Sequence, residues 1–490
     1  MQNTPLSALL PDAFLMIVTV AVLLNDIITG KKGCRLTYMI VVGSSLIAAP
    51  WYAVISMNVH PHYYFSNMYV VDSFASLMKS FLLLGFAVSL IYSRKYLEER
   101  ALFRGDFYLL ALFSLLGQLV MVSGNNFLTL YLGLELMSLS SYAIIALRRE
   151  LPQSNEAAIK YYVLGALASG FLLYGISMLY GATGSLDLHN VSTAITSNRI
   201  NYAVLLFGVT FIVASIAFKM GGVPFHMWVP DVYHGAPTAM TLLISGIPKV
   251  AIFAWGWRFL VIGLLPLAID WQAMLITLAA LSLIVGNVTG IVQHNIKRML
   301  AYSAISNTGF ILLGLLSGVV GGQTNSATNA YGSTVFYGSM YLLTILGSFG
   351  IVMLLARRDF EADLLDDFKG LNKRSPVFAF VMLLMMFSLA GIPPTVGFYA
   401  KFAVLEAVVN AKLTWLAVLA VITSLFGAFY YLRIIKLMYF DEPVEATPIT
   451  AYSANRALLV FNGFTVLLLG IIPGPLISVC MQAVRHTLPL

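Results

Sequence analysis

The sequence predicts an all-α polytopic membrane protein of about fourteen transmembrane helices, with two broken helices, numbers 7 and 12. Of its 490 residues 59% are hydrophobic and only 10% charged, and the mean hydropathy is +0.87. Soluble domains carry roughly a quarter charged residues, so this chain could not cover its apolar surface in water. Apolar runs of about 20 residues, enough to cross roughly 30 Å of hydrocarbon, recur along the whole length. Bundled membrane helices form one unit, so residues 1–490 are expected to be a single transmembrane domain.

The first seven spans are expected near Leu6–Leu24, Leu36–Ile55, Ser73–Ile91, Phe107–Val122, Phe127–Leu147, Tyr161–Tyr180 and Tyr202–Pro230. The other seven are expected near Ala239–Phe259, Trp271–Val292, Met299–Val320, Thr334–Leu355, Val377–Val408, Leu413–Tyr439 and Leu458–Val479. The N-terminal stretch lacks a basic n-region and a small-residue cleavage site, so the first span is expected to be retained. Basic residues near helix ends mark the cytoplasmic side. They collect in alternate loops, at 31–35, 94–104, 148–160, 297–298, 357–374 and 433–456, whereas the other side has only Arg199, Lys412 and Arg485. This alternation predicts both termini on the periplasmic side.

The formal charge of +7 is spread over these short loops rather than gathered in an aromatic-laced patch, which argues against nucleic acid. Cys34 and Cys480 are the only cysteines, which excludes a cysteine-ligated iron–sulfur cluster or a disulfide framework within the chain. No GxGxxG, Walker A or HExxH motif appears, so no nucleotide or metal chemistry is indicated.

Once the loops are assigned, Lys79, Lys219, Lys249, Arg258 and Lys401 remain at membrane depth, together with Glu135 and Glu406. A charge at the bilayer centre costs about 3 kcal/mol on insertion scales, and such residues usually face a polar interior that serves as a pathway. Glu135 lies about 12 Å down the fifth helix at its rise per residue; the plainer alternative is a structural Glu satisfied by Ser or Tyr. Lys219 precedes Gly221, Gly222 and Pro224, residues that break a helix. Breaks at depth are tolerated only against protein or a wet cavity, and transporters place ion sites there; the alternative is a packing kink. Lys249 follows Pro248 about 15 Å into the eighth helix, and Lys401 follows a second broken stretch, Gly391–Pro394.

We expect Glu135 to be the counter-ion of Lys219, Lys249 to relay laterally and Lys401 to exchange its proton with one aqueous face. His226 and His234 flank the first break and His294 lies at the inner end of the ninth span; each could shuttle a proton or bond a freed carbonyl. Lys79 and Arg258, near helix ends, are expected to snorkel to the interface, and Glu406 could do likewise. The two broken helices are five spans apart and so run in opposite directions, as an inverted repeat requires. Lys219 precedes its proline, however, whereas Lys401 follows its own.

FLTLYLGLELMSLSSYAI with Glu135, EAAIKYYVLGA with Lys160, FKMGGVPFHMWVPDVYHGAPT with Lys219, GIPKVAIF with Lys249, NIKRMLAYSAISNTGF, and LAGIPPTVGFYAKF with Lys401 occur in this order. Together they resemble the antiporter-like membrane subunits of respiratory complex I over roughly Phe107–Phe440. The resemblance implies antiporter-like inverted repeats at 107–259 (helices 4–8) and 271–440 (helices 9–13). It also implies a proton-translocating subunit of an NADH:quinone oxidoreductase in the bacterial cytoplasmic (inner) membrane, driven by electron transfer in its partners. The chain itself would hold no cofactor; NADH, flavin, iron–sulfur clusters and quinone would belong to partner subunits, and neighbouring antiporter-like subunits and lipid would surround it. By the same resemblance, Glu135, Lys219, Lys249 and Lys401 form a central polar axis and Lys160 acts at the inner end of helix 6; His226, beside the first break, is added to the proton-transfer set from the reading of the residues above. Lys rather than Glu at position 401, and the lack of room for a long lateral helix after Val479, favour one branch of the family. Many relatives have His where this sequence has Asn307, and an amide cannot carry a proton at working pH. A channel through that position would rely on water, Ser303 or Ser306.

Two readings compete with this one. A multisubunit cation/proton antiporter or hydrogenase membrane-arm subunit would share these helices and lysines, and a non-transporting assembly subunit would keep the charges for structure alone.

Overall fold

The structure, a computed structural model, describes residues 6–57, 60–197, 200–319, 326–358, 360–443, 449 and 452–488. Arg199 and the Val320 end of the tenth predicted span lie outside these residues. The first three helices are α1 (Leu10–Thr29), α2 (Cys34–Ser56) and α3 (Ser73–Glu99), with a hairpin of β1 (His62–Tyr64) and β2 (Tyr69–Val71) before α3. Next come α4 (Gly105–Ser123), α5 (Phe127–Ile145), α6 (Pro152–Thr183), the short α7 (Leu188–Ser197) and α8 (Tyr202–Met220). After a non-helical stretch follow α9 (Trp228–Gly235), α10 (Thr238–Ser245) and α11 (Ile247–Trp257), whose end widens into a π turn, Arg258–Gly263. The second half holds α12 (Ala268–Ile291), α13 (Ile296–Leu316), α14 (Ala327–Leu355), one-turn α15 (Leu371–Arg374), α16 (Pro376–Ala390), α17 (Val396–Asn410), α18 (Thr414–Phe440), α19 (Ser453–Ile471) and α20 (Gly474–Thr487).

Thirteen helical stretches among the described residues are long and apolar enough to cross a membrane. The interrupted pair α16–α17 supplies the remaining predicted crossing. The stretch Thr238–Gly263 is wholly enclosed, and α13 and α14 nearly so, whereas α1 and α19 are peripheral. Lys249 is therefore carried by the most central helix.

Two predicted boundaries are corrected. The first helix runs on to Thr29 rather than stopping at Leu24, because Asn25 Nδ2 donates to Thr37 Oγ1 on α2 at 2.9 Å, giving a polar residue a partner. The last predicted span, Leu458–Val479, is two helices. Pro473 lacks the N–H a continuous helix needs, so the chain turns after α19, and α20 packs back against α14 and α3. There Thr487 Oγ1 accepts from the Phe74 amide at 3.3 Å and closes the N-terminus of α3.

Loops predicted on one side of the membrane meet in space. Glu361, after α14, takes Arg100 from the α3–α4 loop at 3.0 Å, Arg148 from the α5–α6 loop at 3.2 Å and the Tyr96 hydroxyl at 2.7 Å. Lys297, at the start of α13, joins Asp363 at 3.2 Å. On the other face, the Asn125 amide donates to Met68 O in the hairpin, while Asn125 O and Leu186 O bond the amides of Leu188 and Phe127. The loops α2–α3, α4–α5 and α6–α7 thus share that face.

Close helix packing recurs along the chain. A Cβ on Gly117 would strike Met137 N and Gly133 O, and one on Gly286 would strike Ser306 N and Tyr302 O. The displacement from Gly117 to Gly286 equals that from Gly133 to Tyr302 and from Met137 to Ser306, so α4–α5 and α12–α13 meet at corresponding points. Small residues at such crossings let backbones approach where lipid supplies no hydrophobic drive. The same displacement takes Asn126, which caps α5, to Asn295, which caps α13.

Lys79 and Arg258 do not snorkel. Lys79 is buried, with Nζ 2.9 Å from Asp12 Oδ1 and 2.6 Å from the Tyr69 hydroxyl. Arg258 Nη2 lies 2.7 Å from Asp72 Oδ2, while Asp72 Oδ1 caps α3 through the Ala75 amide. Each cation found an acid distant in sequence, a closer solution than reaching the interface. Glu406 is exposed at the end of α17.

Removing one partner of a buried pair leaves the other uncompensated and costs about 3–5 kcal/mol, whereas replacing both by apolar groups is close to neutral. Lys79→Met should therefore lower the thermal midpoint of the detergent-purified assembly, and Asp12→Leu with Lys79→Met should recover most of it. A second prediction concerns pH. Burial pushes the Glu361 carboxyl up, but Arg100, the Tyr96 hydroxyl and Lys297 outweigh it and hold it below the usual carboxylate range. Its contribution is complete above the unfolded value, about 4.3, and fades as pH falls through the lower folded value. The deficit in thermal midpoint of Glu361→Gln relative to wild type should be full at pH 7 and shrink below about pH 4; a deficit independent of pH would assign the effect to packing.

Candidate functional site

The site is organised by two interruptions in otherwise apolar helices. α8 ends at Met220, where Gly221 takes a left-handed conformation, φ +75°, that a side chain would disfavour. α16 ends at Ala390 in the same way, with Gly391 at φ +84°. Each turn continues into a cis proline, Pro224 in one and Pro394 in the other. Gly221 and Pro224 are displaced from Gly391 and Pro394 by equal amounts, one residue more than the glycine pairs above.

A broken helix in hydrocarbon must find partners for its freed backbone groups. At the first break, Trp228 Nε1 donates to Phe218 O at 2.9 Å, the Thr308 hydroxyl to Met220 O at 2.9 Å, and the Val223 amide to Ser282 Oγ at 2.9 Å. At the second, Lys401 itself does the work: its Nζ donates to Leu389 O at 2.8 Å and Ala390 O at 3.1 Å. A cation at a helix C-terminus also meets the negative end of the helix dipole.

Lys219 is buried on the last turn of α8. Its Nζ reaches Ser138 Oγ at 3.1 Å on α5, Tyr142 Oη at 3.4 Å, and Ser169 Oγ at 3.4 Å on α6. Glu135, expected as the counter-ion of Lys219, makes no direct ion-pair contact with it. Glu135 lies one helical turn from Ser138 and near enough for its charge to act on Lys219, but its Oε1 is buried without a hydrogen-bond partner among the described residues. The Ser138, Tyr142 and Ser169 hydroxyls take the direct contacts instead.

Lys249 is buried on α11. Its Nζ donates to Ala304 O at 2.8 Å and to Thr308 Oγ1 at 3.1 Å, both on α13, and lies 5.8 Å from the Tyr341 ring centre. Lys401, half-buried on α17, sits 5.2 Å from the Phe310 ring centre. A cavity of about 20 Å³ joins Lys401 to Asn307, Tyr337 and Tyr341, space for about one water with polar partners on several sides. Thr344 and Ser388 face each other across its wall at 3.1 Å. Lys249 and the Lys401 cavity thus both border α13, through Ala304, Thr308 and Asn307, while the Lys219 amine faces α5 and α6.

Asn307 is part of the same assembly. Its Oδ1 accepts from the Tyr337 hydroxyl at 2.5 Å, and its Nδ2 donates to Ser303 O at 2.8 Å; Ser303 Oγ meets the Tyr431 hydroxyl at 2.5 Å. The amide thus orients two hydroxyl groups, with Ser303 as its neighbour. Thr308, Tyr337, Tyr341, Ser138 and Ser169 were missed by the sequence reading, since an isolated hydroxyl in an apolar helix gives no hydropathic signal.

Lys160 stands apart in the N-terminal part of α6, partly exposed, with Nζ 2.8 Å from both Asp231 and Glu156. Asp231 also holds Arg298 at 2.9 Å. These groups and His234 line a cleft of about 240 Å³. Between Lys160 and Lys219 stands a column of rings: Tyr142 against Tyr161, Tyr161 stacked on Trp228, and Trp228 on Phe218. His226 is half-buried in the break, with Nδ1 buried and without a hydrogen-bond partner among the described residues. His294 lies in the α12–α13 loop, 3.0 Å from Arg433 Nη2. Among the described residues no group of three His, Cys, Asp or Glu is placed to hold a metal.

A family model described as NADH:quinone oxidoreductase/Mrp antiporter, TM, matches residues 124–427, the stretch that holds both breaks and Lys219, Lys249 and Lys401. NADH-quinone oxidoreductase subunit N of Paraburkholderia phymatum is 70% identical over 492 residues, covering 100% of each chain. The subunit of the same name from Cupriavidus taiwanensis is 56% identical over 486 residues, covering 99% of each. Among solved structures, a chain of respiratory complex I from Thermus thermophilus with bound aureothin superposes with a TM-score of 0.80 at 29% identity, covering 95% of this chain and 98% of that one. A chain of the Mrp complex of a Dietzia species shares the fold, with a TM-score of 0.85 at 19% identity, covering 99% of this chain and 98% of that one. The chain therefore belongs to the NADH:quinone oxidoreductase/Mrp antiporter family of membrane subunits, in the branch of the NADH-quinone oxidoreductase N subunits.

Proposed function

We propose that this chain conducts protons across the bacterial cytoplasmic membrane along Glu135, Lys219, Lys249 and Lys401, driven by electron transfer from NADH to quinone in partner subunits. The observation that carries the reading is the company these lysines keep. Lys249 and Lys401 make their direct contacts with carbonyls, hydroxyls and aromatic faces. A buried ammonium compensated only by neutral dipoles changes protonation state when a nearby charge moves, whereas one locked to a carboxylate, as Lys79 is, resists it.

Glu135 fits the role of the moving charge at one end. It acts on Lys219 without being hydrogen-bonded to it, so a shift of its side chain toward or away from Ser138 alters the balance at Lys219. From there the route continues through the Thr308 contact to Lys249, and past Tyr341 and the small cavity to Lys401. Lys160, held by Asp231 at the cleft, serves as the proton-collecting group on the inner side, and His226 lies in the break between it and Lys219. The ring column of Tyr142, Tyr161 and Trp228 would then separate the cleft from the buried axis.

The two halves, 107–259 and 271–440, act on this reading as inverted repeats that each supply one broken helix. The matching glycine crossings and asparagine caps support it. The basic face where Arg100, Arg148 and Lys297 gather would be cytoplasmic, with both termini on the opposite side. Flavin, iron–sulfur clusters and quinone would reside in partner subunits.

In the intact complex reconstituted in vesicles, Lys219→Met and Lys401→Met should each cut protons pumped per electron by roughly ten-fold or more, the scale of losing an obligatory proton-transfer group. Glu135→Gln should give a smaller loss, because it removes a modulating charge. Full pumping in all three variants would leave only a structural role for these residues. Sodium-dependent exchange without co-purifying NADH-oxidising subunits would instead favour the cation/proton antiporter reading.

A further inference from the structure

Among the described residues, Thr308 is the one whose hydroxyl touches both the first helix break and Lys249. Its Oγ1 lies 2.9 Å from Met220 O, the last carbonyl of α8; 3.0 Å from Ala304 O, one turn back on its own helix; and 3.1 Å from Lys249 Nζ. It is buried, and so is Lys249. One side chain on α13 therefore touches both the first helix break and the middle lysine of the axis.

A threonine hydroxyl has a single proton to donate and two lone pairs, while an ammonium donates three protons and accepts none. With Lys249 charged, the contact between them has one possible sense: Lys249 donates and Thr308 accepts. The hydroxyl proton is then directed at a carbonyl, and Met220 O is the one that has lost its helical partner at the break. Once Lys249 is a neutral amine, its nitrogen carries a lone pair, and the Thr308 proton can turn toward it. Met220 O then loses its donor, and a buried carbonyl left unpaired is unfavourable. The end of α8 therefore responds to the charge on Lys249, and Lys219 is the residue directly before Met220.

We propose that Thr308 is a positioning residue whose single hydroxyl proton reports the protonation state of Lys249 to the α8 break and thereby to Lys219. This rests on the proton-conduction reading above and adds to it the device by which two lysines with no shared counter-ion take their turns. No bond is made or broken in the step; only a hydroxyl rotates.

The test uses the complete complex in vesicles, reading protons pumped per electron alongside assembly and thermal midpoint. Thr308→Val keeps the shape and removes the hydroxyl; pumping should fall several-fold while assembly is retained, and Thr308→Ser should restore it. Thr308→Ala is read the same way should the valine variant assemble poorly. Thr308→Val combined with Lys249→Met should pump no worse than Lys249→Met alone, since the hydroxyl then has nothing to report. Wild-type pumping in Thr308→Val and Thr308→Ala beside a loss in Lys249→Met would overturn this inference and leave the axis standing, as would fully additive losses in the double variant. Wild-type pumping in Lys249→Met and Lys219→Met as well would remove the axis itself.

Discussion

The rest of the structure depends on one constraint: a peptide group freed inside hydrocarbon must find a partner within the protein, because no bulk water is there to take its place. Two helices break this rule locally, and the bundle is arranged around the repairs. Ser282 on α12, Thr308 on α13 and Trp228 on α9 each hold one group of the first break. Those bonds fix α8 against the centre of the molecule and bring Lys249 and Lys219 to opposite sides of one short segment. At the second break Lys401 fills the gap itself. Cap and candidate proton carrier are one residue there and separate residues at the first break.

That difference explains a disparity the sequence showed without resolving. Lys219 precedes its proline and lies on the helix that is ending, so its side chain leaves the break toward α5 and α6. Lys401 follows its proline and comes back along the second half-helix to the carbonyls of the first. The backbone turns correspond, with a left-handed glycine and a cis proline at matching places. The lysines do not. Similar backbones therefore present one amine to hydroxyls and another to carbonyls, and the two face different penalties when they lose a proton.

Much of the fold was legible because membrane proteins write it in coarse variables. Runs of apolar residues gave the crossings, glycine beside proline marked the breaks, and loop charge sorted the faces. The ionic knot of Arg100, Arg148, Glu361 and Lys297 is the physical trace of that sorting. What failed was anything set by partners far apart in sequence. Lys79 and Arg258 looked able to reach the interface by depth alone, yet Asp12 and Asp72 lay closer in space. The turn at Pro473 was hidden by the apolar residues on both sides of it. Glu135 is partly buried with one carboxylate oxygen enclosed, and its side-chain direction depends on packing that no spacing encodes.

The lysines of the site and the ion-paired cations outside it differ in what compensates their charge. Lys79 and Arg258 each have a carboxylate within 3 Å, and a proton leaving such a pair must overcome the full attraction of the acid it abandons. Lys249 holds its charge in part against a hydroxyl that can turn, that of Thr308, and Lys401 against backbone carbonyls that cannot. A hydroxyl that rotates costs the lysine little when the charge departs and returns to its place when the charge comes back. Asn307 extends the same logic: its amide cannot take a proton, but it fixes the direction of the Tyr337 hydroxyl beside the small cavity. Neutral groups with movable protons around each amine, and carboxylates kept one step away, are what a repeatedly cycling proton needs. A carboxylate fixed against Lys219 would resist any change of its charge; on the proposed reading, the hydroxyls of Ser138, Tyr142 and Ser169 in direct contact leave that charge free to change.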